Sequence, residues 1–151
     1  MTLKEGSKAI DFELNDTDGK SHKLSDYMGK SIVLYFYPKD DTPGCTLEAC
    51  SFRDNYAEFK KKKAIVIGVS VDNEKSHKKF VEKHKLPFIL LADPEKNVVQ
   101  KYDVWGEKSF MGKKYLGTTR ATFVIDKDFK IKKIFPKVSV PGHTKEILAL
   151  L

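Results

Sequence analysis

The sequence predicts an α/β fold: a central mixed β-sheet flanked by helices, with an N-terminal β-hairpin. Three observations carry this. Residues 31–37 and 64–71 are continuous runs of β-branched and aromatic side chains, the composition of strands buried on both faces. Between them Leu47, Phe52, Tyr56 and Phe59 recur at helical spacing, which gives strand, helix, strand and hence one right-handed crossover. Residues 121–126 and 131–135 flank Lys127-Asp128 as a second hairpin, so the sheet is mixed although largely parallel at its centre.

In chain order, residues 11–14 and 22–24 flank the turn-rich stretch 15–19 as the N-terminal hairpin. The first central strand ends at Pro38, and the helix that follows closes on the lysine run 60–63, whose charge suits a helix C-terminus. A second helix spans 74–85, stopped by Pro87, and leads into the short apolar run 88–91. Asp93-Pro94 opens a third helix near 95–102, and the last helix starts after Pro141-Gly142. No internal repeat or linker interrupts the pattern. With 40% hydrophobic and 11% aromatic residues in 151, one sizeable core is expected, and so a single domain over residues 1–151.

Composition narrows the function. No apolar run approaches the roughly 18 residues of a membrane span, and the first residues lack the apolar segment of a secretory signal, so no membrane partner and a cytoplasmic location are expected. The net charge of +7 invites a nucleic-acid reading, but only Arg53 and Arg120 of the 28 basic residues are arginine. Lysine interleaved with glutamate marks a solvated surface rather than a base-reading or phosphate-reading one. The four histidines are scattered, with no zinc-ligand spacing beside the two cysteines, so no metal is expected; His77 and His84 share a helical face and read as solvent-exposed. Five residues separate Gly106 from Gly112 and no Ser or Thr follows, which excludes a phosphate-binding loop. Trp105, Phe110 and Tyr115 read as packing or a pocket wall.

The stretch from Pro38 to Cys50 lies where a central strand hands over to a helix, the end of an open α/β sheet at which reacting groups collect. Thr42 and Pro43 read as N-cap and first helical residue, with Gly44 next and Cys45 in the first turn. There the unpaired amides and the positive end of the helix dipole favour thiolate over thiol. Gly44 has no side chain to shield the sulfur, and the Thr42 hydroxyl can face whatever binds beside it. The alternative reading makes Cys45 and Cys50 small, inert helix residues, and Asp40, Asp41 and Glu48 nearby oppose a thiolate. Residues five apart on an ideal helix have Cα atoms about 8.6 Å apart, whereas a disulfide needs roughly 4.4 to 6.8 Å. The two sulfurs can therefore bond only if the first turns unwind, which suits a redox cycle. Arg120 opens a predicted central strand, where a fixed cation asks for an anionic partner; a strand-edge salt bridge is the alternative, and Arg53 shares the ambiguity.

These residues resemble a peroxiredoxin of the bacterioferritin-comigratory-protein or peroxiredoxin Q group. The match rests on Pro38-x-x-x-Thr42-x-x-Cys45, on Cys50 five residues later, and on Phe36-Tyr37-Pro38 and Gly68-Val69-Ser70. It continues through residues 105–112, 120–126 and Pro141-Gly142-His143. The resemblance implies a thioredoxin-like fold and a thiol peroxidase that needs no cofactor or metal. It makes Cys45 the peroxidatic sulfur and Cys50 the resolving one. Pro38 then shields the pocket, Thr42 hydrogen-bonds the peroxide, and Arg120 stabilises the thiolate and the developing charge. Gly44, Glu48 and Trp105 fall on the substrate side. The implied partners are a peroxide and a thioredoxin or glutaredoxin-like reductant, with the enzyme a monomer. A thiol–disulfide oxidoreductase would share the fold, but its redox pair is normally Cys-x-x-Cys.

Overall fold

The computed structural model describes residues 3–151. In chain order, β1 (Glu13–Asn15) and β2 (Ser21–Lys23) form the N-terminal hairpin, and β3 (Ser31–Phe36) leads through α1 (Pro43–Asp54) and α2 (Tyr56–Lys61) to β4 (Ala64–Ser70). Next come α3 (Glu74–His84), β5 (Ile89–Ala92) and α4 (Asn97–Lys101), then a hairpin of β6 (Trp105–Phe110) and β7 (Lys113–Thr118). The strands β8 (Ala121–Ile125) and β9 (Ile131–Phe135) and the helix α5 (His143–Leu148) complete the chain. The main sheet runs β2-β1-β5-β4-β3-β8-β9. Its centre, β5-β4-β3, is parallel and both edges are antiparallel, so it is mixed as expected.

Strand alternation sorts the apolar side chains into a core on each face of the sheet. Along β3, Ile32, Leu34 and Phe36 join one core with Phe123 and Tyr102, while Val33 and Tyr35 join the other with Phe52, Phe59 and Phe80. The second core holds α1 down by its buried face, Cys45, Ala49 and Phe52, and so fixes the reactive end of that helix over the sheet.

Four expectations need correction. The helix between the central strands is two helices, broken at Asn55 (φ −106°, ψ 10°), whose side-chain amide donates to the Ser51 carbonyl at 2.8 Å and so competes with the helical ladder. The third helix is shorter than expected: Lys96 takes a left-handed conformation (φ 62°), and the Asp93 carboxylate accepts the amides of Asn97 and Val99 in its place as a cap. The two-stranded β6–β7 hairpin was not anticipated. Its loop is Met111-Gly112, both at positive φ (52° and 79°), a mirror-image turn without the usual Asn-Gly signature. His77 is buried rather than solvent-exposed, because its ring packs inward against Asp40. Among the described residues no helix is long and apolar enough to cross a membrane.

The packing at the sheet centre sets a testable limit. Gly68 pairs directly with Tyr35, and a Cβ there would lie 2.8 Å from Tyr35 Cζ and 2.7 Å from Leu90 Cδ2. Replacing a strand glycine by alanine gains about 0.5–1 kcal/mol of backbone entropy, whereas overpacking a core costs about 1–3 kcal/mol. Gly68→Ala should therefore lower stability, read as a fall in the urea midpoint at unchanged slope; a midpoint at or above wild type would show that the Tyr35 ring gives way freely.

Candidate active site

The site is assembled where β3 ends. The chain leaves the sheet at Tyr37, turns through Asp41 in a left-handed conformation (φ 58°), and enters α1 with Thr42 at the N-cap. Cys45 is the third residue of that helix and is 2% exposed. Thr42 holds the cap position by backbone, but its side chain makes no cap bond. Instead Oγ1 donates to the Lys39 carbonyl at 2.8 Å. With its proton committed there, the hydroxyl oxygen keeps acceptor capacity, and the first amides of α1 keep their free donor capacity.

Arg120, on the link from β7 to β8, reaches over this turn. Its Nη2 donates to Cys45 Sγ at 3.4 Å and its Nη1 to Glu48 Oε1 at 2.7 Å. A Cβ on Gly44 would lie 3.0 Å from Nη2, so glycine is what lets the guanidinium close on the sulfur. Arg120 does form a salt bridge, with the buried carboxyl of Glu48, and its fork reaches the Cys45 sulfur as well. Burial pushes the Glu48 carboxyl up to about 7, against the pull of Arg120. Its second oxygen, Oε2, is buried and finds no hydrogen-bond partner among the described residues.

Pro38 and Trp105 meet across a cavity of about 300 Å³ whose walls also include Lys39, Val71, Lys108 and Tyr115. Lys108 was not singled out by the sequence, where it reads as one more surface lysine. The unanticipated hairpin brings it in: Nζ donates to the Thr118 carbonyl at 2.9 Å, and burial, helped by the charge of Arg120, lowers its ammonium below the ordinary value while Cys45 pulls the other way. Arg53 resolves as a tether, its Nη1 donating to the His84 carbonyl at 2.8 Å and so joining α1 to α3. Cys50 is half-buried and free, on the same unbroken helix as Cys45. The structure therefore gathers Gly44, Cys45, Glu48 and Arg120 by contact and Pro38 and Trp105 around one cavity, and leaves Cys50 separate.

The chain resembles known proteins along nearly its whole length. Residues 6–134 match the model of the AhpC/TSA family. The chain is 52% identical over 151 residues to the peroxiredoxin Bcp of Bacillus subtilis, covering 100% of this chain and 96% of that one. It is 44% identical over 146 residues to the peroxiredoxin Bcp of Escherichia coli, covering 97% and 94%. Among solved structures, a cysteine-to-serine mutant of PrxQ from Xylella fastidiosa superposes with a TM-score of 0.93 at 33% identity, covering 99% of this chain and 95% of that one. The bacterioferritin comigratory protein of Xanthomonas campestris, studied for its alkyl peroxide reduction activity, superposes with a TM-score of 0.86 at 37% identity, covering 91% and 88%. A reactive cysteine at a helix start, gripped by an arginine on a thioredoxin-like sheet, and these relatives along the whole length lead to one assignment: the chain belongs to the AhpC/TSA family, as a thiol-dependent peroxidase of its Bcp/PrxQ peroxiredoxins.

Proposed function

We propose that Cys45 is the attacking sulfur and Cys50 the sulfur that resolves it; the contact of Arg120 Nη2 with Cys45 Sγ at 3.4 Å carries this reading. The Cys45 thiolate attacks the terminal oxygen of the peroxide, the O–O bond breaks, and the leaving oxygen departs as an alcohol or water after taking a proton. Cys45 is left as a sulfenic acid. The Cys50 thiol condenses with it, releasing water and forming a disulfide, which a thioredoxin or glutaredoxin-like dithiol reduces back to two thiols. Arg120 steadies the charge as it passes from sulfur to oxygen, Thr42 orients the peroxide through its accepting hydroxyl, and Pro38 walls off water. Hydrogen peroxide and organic hydroperoxides are the substrates, the latter supported by the partly apolar cavity beside Trp105 and by the alkyl peroxide reduction of the Xanthomonas relative. The free thiols suit a reducing compartment, the cytoplasm.

Single-turnover mixing with peroxide tests the division of labour. Cys45→Ser should consume none, whereas Cys50→Ser should be oxidised once and then stall with thioredoxin as donor. Appreciable turnover by Cys45→Ser would overturn the assignment.

Resolution requires motion. Cys45 and Cys50 lie on one α-helix, and ideal helix geometry separates Cα atoms five residues apart by about 8.6 Å, beyond disulfide range by about 2 Å. Closing a six-residue loop stabilises by about 2 kcal/mol, while each lost helical hydrogen bond costs about 1 kcal/mol. These effects nearly cancel, so a melting temperature is uninformative and local protection is decisive. Amide exchange should rise across residues 46–50 on oxidation and stay unchanged in β3 and β4; full protection of residues 46–50 in a confirmed disulfide would rule the unwinding out.

Glu48 adds a pH dependence of stability. Its carboxyl titrates near 7 when folded and near 4.5 when not, so the folded state holds a proton that the unfolded chain releases. That contribution is fully present below pH 4.5 and is lost as pH rises through about 7. Relative to wild type, Glu48→Gln should gain stability between pH 4.5 and 8, by up to about 3 kcal/mol, measured as urea midpoints at both pH values. A difference that does not vary with pH would place the carboxyl in a wetter site.

A further inference from the structure

A network of polar side chains lies behind the active-site loop, and no step of the reaction above uses it. Asp40 sits in that loop between Pro38 and Thr42, with its side chain 3% exposed. Its Oδ1 accepts the Tyr37 hydroxyl proton at 2.6 Å, and its Oδ2 accepts from Ser76 Oγ at 2.8 Å and lies 2.6 Å from Nδ1 of the wholly buried His77. On the far side of the ring, Nε2 lies 2.9 Å from the Leu91 carbonyl. The Asp40 amide donates to Asp72 Oδ2 at 2.8 Å, and the same oxygen accepts from Ser70 Oγ at 2.7 Å. The loop is thereby moored to β4, α3 and β5 at once.

Two features of this network point beyond packing. His77 is held from both ends: Nδ1 shares a proton with Asp40 Oδ2 across 2.6 Å, and Nε2 donates to the Leu91 carbonyl at 2.9 Å, so the ring has one orientation and both of its polar atoms are used. Apolar groups of the same shape in place of both partners of a buried hydrogen-bonded pair are nearly neutral for stability or better, so stability alone does not account for the pair; directed bonds of this kind fix geometry. What it fixes adjoins the peroxide site. Asp40 lies next to Lys39, whose carbonyl takes the Thr42 hydroxyl proton, and next to the left-handed Asp41, which aims the chain at Thr42. Asp40, Asp72 and His77 also bring three ligand-type atoms within 4.8 Å, but hydrogen bonds to one another and to their neighbours already occupy them.

We propose that His77 is a positioning residue for peroxide reduction: acting through Asp40, it holds residues 38–42 so that the Thr42 hydroxyl and the Pro38 ring stay in register with Cys45. The inference rests on the assignment of Cys45 as the attacking sulfur. It predicts a selective loss, because peroxide needs the oriented hydroxyl while a simple alkylating agent needs only access to the sulfur.

The test compares two reactions of Cys45 in the full chain, oxidation by hydrogen peroxide and alkylation by iodoacetamide, in His77→Gln and Asp40→Asn. In both variants the peroxide rate constant should fall at least about tenfold while alkylation changes less than about twofold. In a Thr42→Val background His77→Gln should cost little further, since the group it positions is gone. An unchanged peroxide rate in either folded variant, equal losses in both reactions, or a full further loss in the Thr42→Val background would overturn the proposal. Should His77→Gln fail to fold, the near-isosteric Asp40→Asn decides alone. Peroxide reduction by Cys45→Ser would defeat the underlying assignment instead, so the two failures are distinguishable.

Discussion

The site depends on one half-buried guanidinium. Arg120 bonds the Cys45 sulfur with one nitrogen and the Glu48 carboxyl with another, and a lysine in its place would offer a point charge that could not do both in fixed directions. Much of the neighbouring sequence serves this contact. Gly44 keeps the path to the sulfur clear, Pro43 starts the helix that presents Cys45, and the turn into β8, the strand beside β3, delivers the arginine. Glu48 anchors the fork, yet each unit of negative charge it carries draws the cation away from the sulfur. Its burial eases that conflict by raising the carboxyl to about 7, so that near neutral pH it is ionised only part of the time.

The sequence was most legible where local chemistry and tertiary structure agree. The strands of the sheet centre could be read because burial on both faces leaves an unbroken apolar run, and the helix start at Thr42-Pro43 because proline suits only that position. The break at Asn55 was hidden, since apolar spacing carries on across it from Phe52 to Phe59. The β6–β7 hairpin was hidden for a different reason: it pairs only with itself, its side chains are mostly exposed, and its turn uses Met111 where the usual signal is asparagine.

The candidate site divides in the same way. Cys45, Gly44 and Arg120 were recognisable because each is costly in its position without a chemical reason. Thr42 was placed correctly and bonded differently, as a hydroxyl has several partners within reach and sequence does not choose among them. Lys108 and His77 were missed or misplaced because their roles come from long-range contacts, Lys108 through the hairpin and His77 through Asp40, 37 residues earlier in the chain.

The interruption at Asn55 also bears on how far a local rearrangement can travel. Helix melting is cooperative, because each lost turn removes the hydrogen-bond support of the next. A continuous helix through residue 61 would carry fraying from Cys45 toward Phe59, and so into the core beneath the sheet. Instead the ladder stops at Asn55. Just before the stop, Ser51 Oγ lies 2.6 Å from Thr144 Oγ1, Arg53 is tied to the His84 carbonyl, and Phe52 is wholly buried. The helix thus ends in a firebreak: in the proposed resolution by Cys50, the segment that would come apart is insulated from the segment that keeps the domain folded, so a part of the protein can melt repeatedly without risking the whole.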